Sequence, residues 1–125
     1  MLIAVERGAL DLARVPGAEP STEVCISAVT ASELLHGVHR LQGAVQRARV
    51  QTALELVLAR LPVIAFDLDV ARVHALLSAE LRAKGTAVGA HDLIIAATAV
   101  ALDAAVATRD LRSFPRIKGL EVRRW

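Results

Sequence analysis

A chain of 125 residues, 54% hydrophobic and only 2% aromatic, balances 15 Lys and Arg against 13 Asp and Glu. This length fits a single domain over residues 1–125 that buries a core without disulfides, and the lone cysteine, Cys25, excludes a disulfide within the chain and indicates a reducing compartment. The longest apolar run, Leu93 to Leu102, is about half a bilayer span and no secretory signal begins the chain, so we expect a cytoplasmic protein.

The N-terminal part of the chain predicts one short strand. The apolar segment from Met1 to Arg7, stopped by Gly8, has the pattern of a helix end, and Leu10 to Glu23 is a loop with two prolines. Val24 to Ser27 is a short run that favours a strand.

Hydrophobic spacing of about 3.6 residues then predicts four helices. Their bounds are residues 30–41, 44–61, 67–84 and 92–102. Thr30 is the expected N-cap of the first, with Glu33 completing a capping box. Asp67 or Asp69 is expected to cap the third.

Short apolar runs alternate with these helices and predict further strands at residues 63–66, 104–108 and 120–123. This alternation favours an α/β fold with a mostly parallel sheet. Ligands of such sheets bind beyond the carboxyl ends of the strands. Glu33, Asp92 and Asp110 each follow a strand or begin a helix, so we expect these acids at one edge of the sheet.

Three carboxylates at one edge suit a hard divalent cation. Mg²⁺ or Mn²⁺ takes carboxylate oxygens and waters and leaves room for a phosphate, and the bound ion activates water. Plainer roles stay open: Asp92 as a helix cap, Asp110 as a turn residue, and Glu33 as a capping-box residue. No nucleophile elbow, phosphate-binding glycine loop or dinucleotide fingerprint is present, which favours metal-dependent phosphodiester chemistry.

Basic and histidine side chains give weaker signals. Several basic residues follow the last predicted buried strand: Arg109, Arg112, Arg116, Lys118, Arg123 and Arg124. They form either a phosphate-contacting rim or an ordinary solvated surface. Glu33 and His36 make one Glu-x-x-His step, whereas di-iron bundles use a pair. His91 either orients Asp92, touches substrate or is structural.

Three segments together closely resemble the PIN-domain ribonucleases, above all the VapC toxins of type II toxin–antitoxin pairs. They are Ser32-Glu33-Leu34-Leu35-His36-Gly37, Gly89-Ala90-His91-Asp92-Leu93-Ile94-Ile95-Ala96-Ala97-Thr98 and Ala107-Thr108-Arg109-Asp110. The resemblance covers almost the whole chain. It implies a three-layer α/β/α fold with a mostly parallel central sheet.

The resemblance also implies a function. Family members are endoribonucleases that cleave structured RNA of the tRNA or rRNA class, are neutralised by a cognate antitoxin, and are often homodimers. They hold Mg²⁺ or Mn²⁺ in a ring of acids, to which the match assigns Glu33, Asp92 and Asp110 as metal ligands and catalytic residues. Thr108, Arg109 and Arg112 are the expected substrate-binding residues.

The chain departs from the family pattern at its start. The family opens with an apolar strand and a catalytic Asp, whereas Leu2 to Gly8 matches the helix that follows them. We therefore expect the first strand and first catalytic Asp to be absent here, and the natural protein to begin several residues earlier. The alternative function is an inactive PIN remnant that binds antitoxin or RNA, and a DNA-directed nuclease of the same fold is a third possibility.

Overall fold

A computed structural model describes residues 2–5 and 23–124 of the chain. Its strands are β1 (Leu2–Val5), β2 (Val24–Ser27), β3 (Val63–Ile64), β4 (Ala105–Thr108) and β5 (Val122–Arg124). Its α-helices are α1 (Ala28–His39), α2 (Ala44–Arg60), α3 (Leu68–Ala83) and α4 (Ala90–Ala101), and a 3-10 turn covers Phe114–Arg116. The alternation of strands and helices agrees with the predicted α/β class.

All strand pairs of the described sheet are parallel, in the order β3-β2-β1-β4-β5. Leu2 lies opposite Val24 of β2 and Ala105 of β4, and Val5 lies opposite Thr108 at the end of β4. The carboxyl ends of β1, β2 and β4 therefore meet at one edge. The chain passes directly from β2 into α1 there, and Asp110 follows β4 by two residues.

The N-terminal segment differs from the sequence analysis. Leu2–Val5 forms a strand at the centre of the sheet, so the predictions of a helix end there and of an absent central strand are wrong for this fold. A short apolar run satisfies the strand and helix periods equally well, and a few residues alone do not sustain a helix. Pairing with both β2 and β4 satisfies backbone groups that would otherwise be buried without partners. The predicted loop at 10–23 and the residue after β1, Glu6, lie outside the described residues.

The sheet separates two apolar clusters, because neighbouring residues of a strand point to opposite faces. Cys25 of β2 packs with Val106 of β4 and with α3 and α4 residues such as Leu77 and Ile95. The next residue, Ile26, packs with Ala31 of α1 and with half-buried leucines at the end of α2. Helices thus cover both faces, which gives the three layers that the sequence predicted.

Helix starts are set by side chains that follow the strands. Asp67 caps α3 by accepting a hydrogen bond from the Val70 amide at 2.9 Å, as one of the two predicted alternatives. The predicted Thr30 cap of α1 is wrong: Ser27 is the N-cap and accepts from the Thr30 amide at 3.1 Å. The last residue of β2 thus begins α1 without a loop, and the cap lies three residues earlier than predicted. Within the described ranges no helix is long and apolar enough to cross a membrane.

Candidate active site

Asp92 lies in the first turn of α4, and only 7% of it is exposed. Gly89 is the N-cap, so Asp92 is the third helical residue and not the capping residue. A Cβ atom added to Gly89 would lie 3.5 Å from Oδ2 of Asp92, which places the carboxylate close to the start of the helix. The positive end of the helix dipole stabilises a carboxylate there. The buried residues 95–99 anchor the helix in the core, so the position of this carboxylate is well fixed.

Glu33 contacts the same helix start from across the fold. Oε1 of Glu33 lies 2.5 Å from Nδ1 of His91, although 58 residues separate them in the chain. The Glu33 side chain is 24% exposed and the His91 side chain is about half exposed. Glu33 lies on α1, which begins at the end of β2, and His91 lies on α4. The contact therefore holds the start of α4 against α1. The sequence offered three roles for His91 and did not identify Glu33 as its partner.

A groove of about 410 Å³ lies at this junction and is lined by Glu33, Gly89, Ala90, His91 and Asp92. Two of the three predicted acids therefore share one groove. It is shallow and widely open to solvent, and Glu33, His91 and Asp92 give it polar and charged lining groups. The remaining acid, Asp110, follows β4 and is not among the lining residues.

Asp110 is held in a tight turn after β4. Its amide donates to Oγ1 of the buried Thr108 at 3.0 Å. Its carboxylate accepts from the amide and Nε of Arg112, both at 3.0 Å to Oδ1, and from Nη2 at 2.8 Å to Oδ2. The Arg112 side chain is 86% exposed and that of Asp110 34%. These contacts suit the turn role that the sequence left open for Asp110, and they also orient the Arg112 guanidinium.

Arg112 also relates Asp110 to Asp92. Hydrogen bonding to Asp110 raises the pKa of the Arg112 guanidinium, as do the charge of Asp110 and, to a smaller extent, the charge of Asp92. Asp92 therefore lies near enough for its charge to act on the guanidinium. In the described part of the chain, however, no three His, Cys, Asp or Glu side chains form a group that could hold a metal ion. The structure brings Glu33 and Asp92 into one groove, whereas Asp110 is not among the residues that line it and is bound to Arg112.

The donor set fits a hard cation in chemistry. Mg²⁺ is usually bound through one or two carboxylates, with waters and substrate phosphates completing its shell. Glu33 and Asp92 supply two carboxylates on one open groove. At Asp110 a cation would compete with Arg112, which engages both carboxylate oxygens.

The other predicted site residues have distinct environments. Thr108 is buried, and its hydroxyl accepts the hydrogen bond that supports the turn at Asp110, which favours a positioning role. Substrate contact by Thr108 and by the exposed Arg109 stays a prediction. Beyond Arg112, two basic residues make contacts of their own. Arg116 donates to the Ala87 carbonyl at 3.2 Å, which braces the loop before α4, and Arg123 pairs with Glu121.

Known proteins are similar to this chain in sequence and in fold. The sequence profile of the PIN domain family matches residues 4–120. The chain is 33% identical to the tRNA(fMet)-specific endonuclease VapC of Salmonella typhimurium over 84% of its own length and 77% of that protein. The structure of DNA-bound VapBC from Salmonella typhimurium matches with a TM-score of 0.75 and 34% identity, over 82% of this chain and 75% of that one. A promoter-bound VapBC2 from Rickettsia felis matches with a TM-score of 0.81 over 100% of this chain and 99% of that one; at 24% identity it shows a common fold. These likenesses confirm the predicted PIN-like architecture.

Proposed function

Because the chain belongs to the VapC group of the PIN-domain family, we propose that it is a metal-dependent endoribonuclease toxin that cuts structured RNA. The observation that carries the proposal is the groove shared by Glu33 and the buried Asp92, at the edge where parallel sheets bind ligands. The similarity to an endonuclease named for a tRNA supports RNA of the tRNA or rRNA class as substrate.

Glu33 and Asp92 are the residues that we expect to hold Mg²⁺ or Mn²⁺, with Asp110 as the third ligand. When bound, such an ion activates a water molecule and stabilises the charge that develops on the phosphate. The fixed position of Asp92 at the start of α4 keeps its carboxylate oriented without cost at the time of reaction. The exposed guanidinium of Arg112, and Arg109 beside it, are suited to contact RNA phosphates.

A protein nucleophile is a poor alternative for this site. Cys25 is fully buried on β2, and burial raises the pKa of its thiol to about 11. A thiol in that state is almost entirely protonated near neutral pH, and the thiolate is the reactive form. Hydrolysis by water is therefore the chemistry that we assign. A buried free thiol also suits a reducing cytoplasm, where we place the protein.

A cognate antitoxin is the partner that we propose, and a homodimer is the proposed assembly. The solved neighbour from Salmonella typhimurium is a VapBC complex, which supports an antitoxin. Large apolar side chains are exposed on two helices that pack on opposite faces of the sheet, where partner chains could contact them. They are Val45 and Leu56 on α2 and Leu68 and Leu76 on α3.

Substitution of Asp92 by Asn tests the proposal. Purified protein is incubated with total tRNA and with ribosomal RNA, in Mg²⁺ or Mn²⁺ and in EDTA, and cleavage is followed on gels. We expect cation-dependent cleavage that D92N lowers by roughly 100-fold or more, as for loss of a group that acts on the reacting charge. Asp69→Asn is the matched control, because Asp69 is also an acid in a helix first turn but lies on the exposed start of α3. Equal cleavage by wild type and D92N would refute the assignment.

One observation favours the alternative of an inactive PIN remnant that binds antitoxin or RNA. The acids of the described residues do not assemble a three-ligand group. A remnant would show no cleavage in any cation and yet bind the antitoxin encoded beside it, with unchanged affinity in D92N. Single-stranded and duplex DNA in the same assay test the third candidate, a DNA-directed nuclease.

A further inference from the structure

Arg112 engages both carboxylate oxygens of Asp110, the residue that we expect to be the third metal ligand. Two parallel hydrogen bonds run from its Nε and Nη2 to the two carboxylate oxygens, at 3.0 and 2.8 Å. The backbone amide of Arg112 donates to Oδ1 as well. The fork satisfies both oxygens of Asp110 at once, in the bidentate geometry that gives arginine–carboxylate pairs their strength.

The guanidinium responds to more than one carboxylate. Asp92, at the start of α4, adds to the rise in the pKa of Arg112 that its partner Asp110 produces. The charge of Arg112 is thus coupled to both of the acids that we expect to share a divalent cation, by direct contact with Asp110 and through the weaker field of Asp92. Arg112 is also largely exposed, so its side chain is able to leave without disturbing the core.

We propose that Arg112 is a built-in counter-cation, which neutralises Asp110 in the metal-free protein and gives way when a divalent cation binds there. The inference rests on the proposed function, because it assumes that Asp110 joins Glu33 and Asp92 around the metal. Exchange of this kind makes cation binding the step that frees the guanidinium for an RNA phosphate.

Direct Mn²⁺ binding tests the exchange, measured by calorimetry and by the electron paramagnetic resonance signal of free Mn²⁺. In Arg112→Gln the backbone amide bond to Asp110 is retained, whereas the competing charge is lost. We expect Mn²⁺ to bind about fivefold more tightly, which is the upper range of what an exposed ion pair contributes. Arg112→Lys should fall between wild type and R112Q, because lysine keeps the charge and loses the bidentate fork.

Arg123 supplies the matched control. It pairs with Glu121 two residues earlier at 2.9 Å, as Arg112 pairs with Asp110, but on the edge strand β5. Arg123→Gln should leave Mn²⁺ affinity unchanged. The effect of R112Q should also vanish on an Asp110→Asn background, because the double-mutant cycle isolates the coupling of the two side chains.

The outcomes separate the inference from the proposed function. Tighter Mn²⁺ binding in R112Q that disappears with D110N supports the exchange. Measurable wild-type binding that R112Q leaves unchanged overturns the exchange and retains the metal site. If neither wild type nor R112Q binds Mn²⁺ at millimolar concentration, the metal site itself is refuted, and the exchange with it. Thermal melting of every variant verifies that each remains folded.

Discussion

Replacement of Ser27 by alanine removes the N-cap of α1, the helix that carries Glu33. Oγ of Ser27 accepts from the Thr30 amide at 3.1 Å and lies 3.0 Å from the Thr30 hydroxyl, and both side chains are buried. Loss of a serine cap costs about 0.5–2 kcal/mol, and a buried hydroxyl left without its partner adds to that cost. We expect S27A to lower the free energy of unfolding by about 2 kcal/mol, a substantial part of the ~5–15 kcal/mol typical of a domain.

Urea denaturation followed by far-UV circular dichroism measures this change. Thr52→Ala is the control, because the Thr52 hydroxyl donates to the Ala48 carbonyl within the exposed helix α2 and its loss should stay within about 0.5 kcal/mol. The double variant S27A/T30V should lose less than the sum of the single variants, since the two hydroxyls are partners. A loss in S27A no larger than in T52A would refute the assignment of the cap. A larger loss in Thr30→Ala than in S27A would restore Thr30 as the capping residue.

Two further predictions concern stability. Asp67→Ala should lower the free energy of unfolding by about 1 kcal/mol, because the hydrogen bond that caps α3 at the Val70 amide is lost. Asp69→Ala is the control, because it removes only an exposed ion pair with Arg72 and should change the free energy of unfolding little. Equal losses in urea titrations would contradict this prediction. Because burial raises the pKa of Cys25 to about 11, its thiol favours folding below the ordinary thiol pKa of about 9, and this contribution should fall as pH rises through 9 to 11. Cys25→Ala should flatten that part of the pH–stability profile, and an unchanged slope would contradict the assignment.

The elements predicted well are those in which local and long-range requirements agree. Val24–Ser27 is apolar, short and followed by a helix signal, and it forms β2 over the predicted residues. The apolar stripe of α3, which includes the buried Val70 and Leu77, repeats at the helical period alone. Asp67 precedes the helix and is able to cap it. Sequence patterns of this kind determine where an element lies and which face it buries.

The failures arise where a tertiary contact decides between local alternatives. The short apolar run Leu2–Val5 fits the helix period and the strand period equally well. Pairing with β2 and β4 selects the strand. Ser27 and Thr30 both carry a hydroxyl near the start of α1, and a cap at Thr30 is locally as good as one at Ser27. The contact of Glu33 with His91 joins residues 58 positions apart, so only the parallel topology could suggest that they meet. The sequence predicted the edge of the sheet at which the acids lie, but not their partners.

We expect the site to depend most on Asp92, and the position of β1 gives the reason. Glu33 belongs to the helix that follows β2, and Asp110 to the turn that follows β4. With β1 between them, β2 and β4 lie two strand spacings apart, about 9–10 Å, so side chains from both sides must reach inward to meet at one ion. Asp92 shares a groove with Glu33 and acts electrostatically on the Arg112 that holds Asp110. Asp92 is therefore the carboxylate connected both to Glu33 and to the Arg112–Asp110 pair. Its loss should weaken cation binding more than loss of either Glu33 or Asp110.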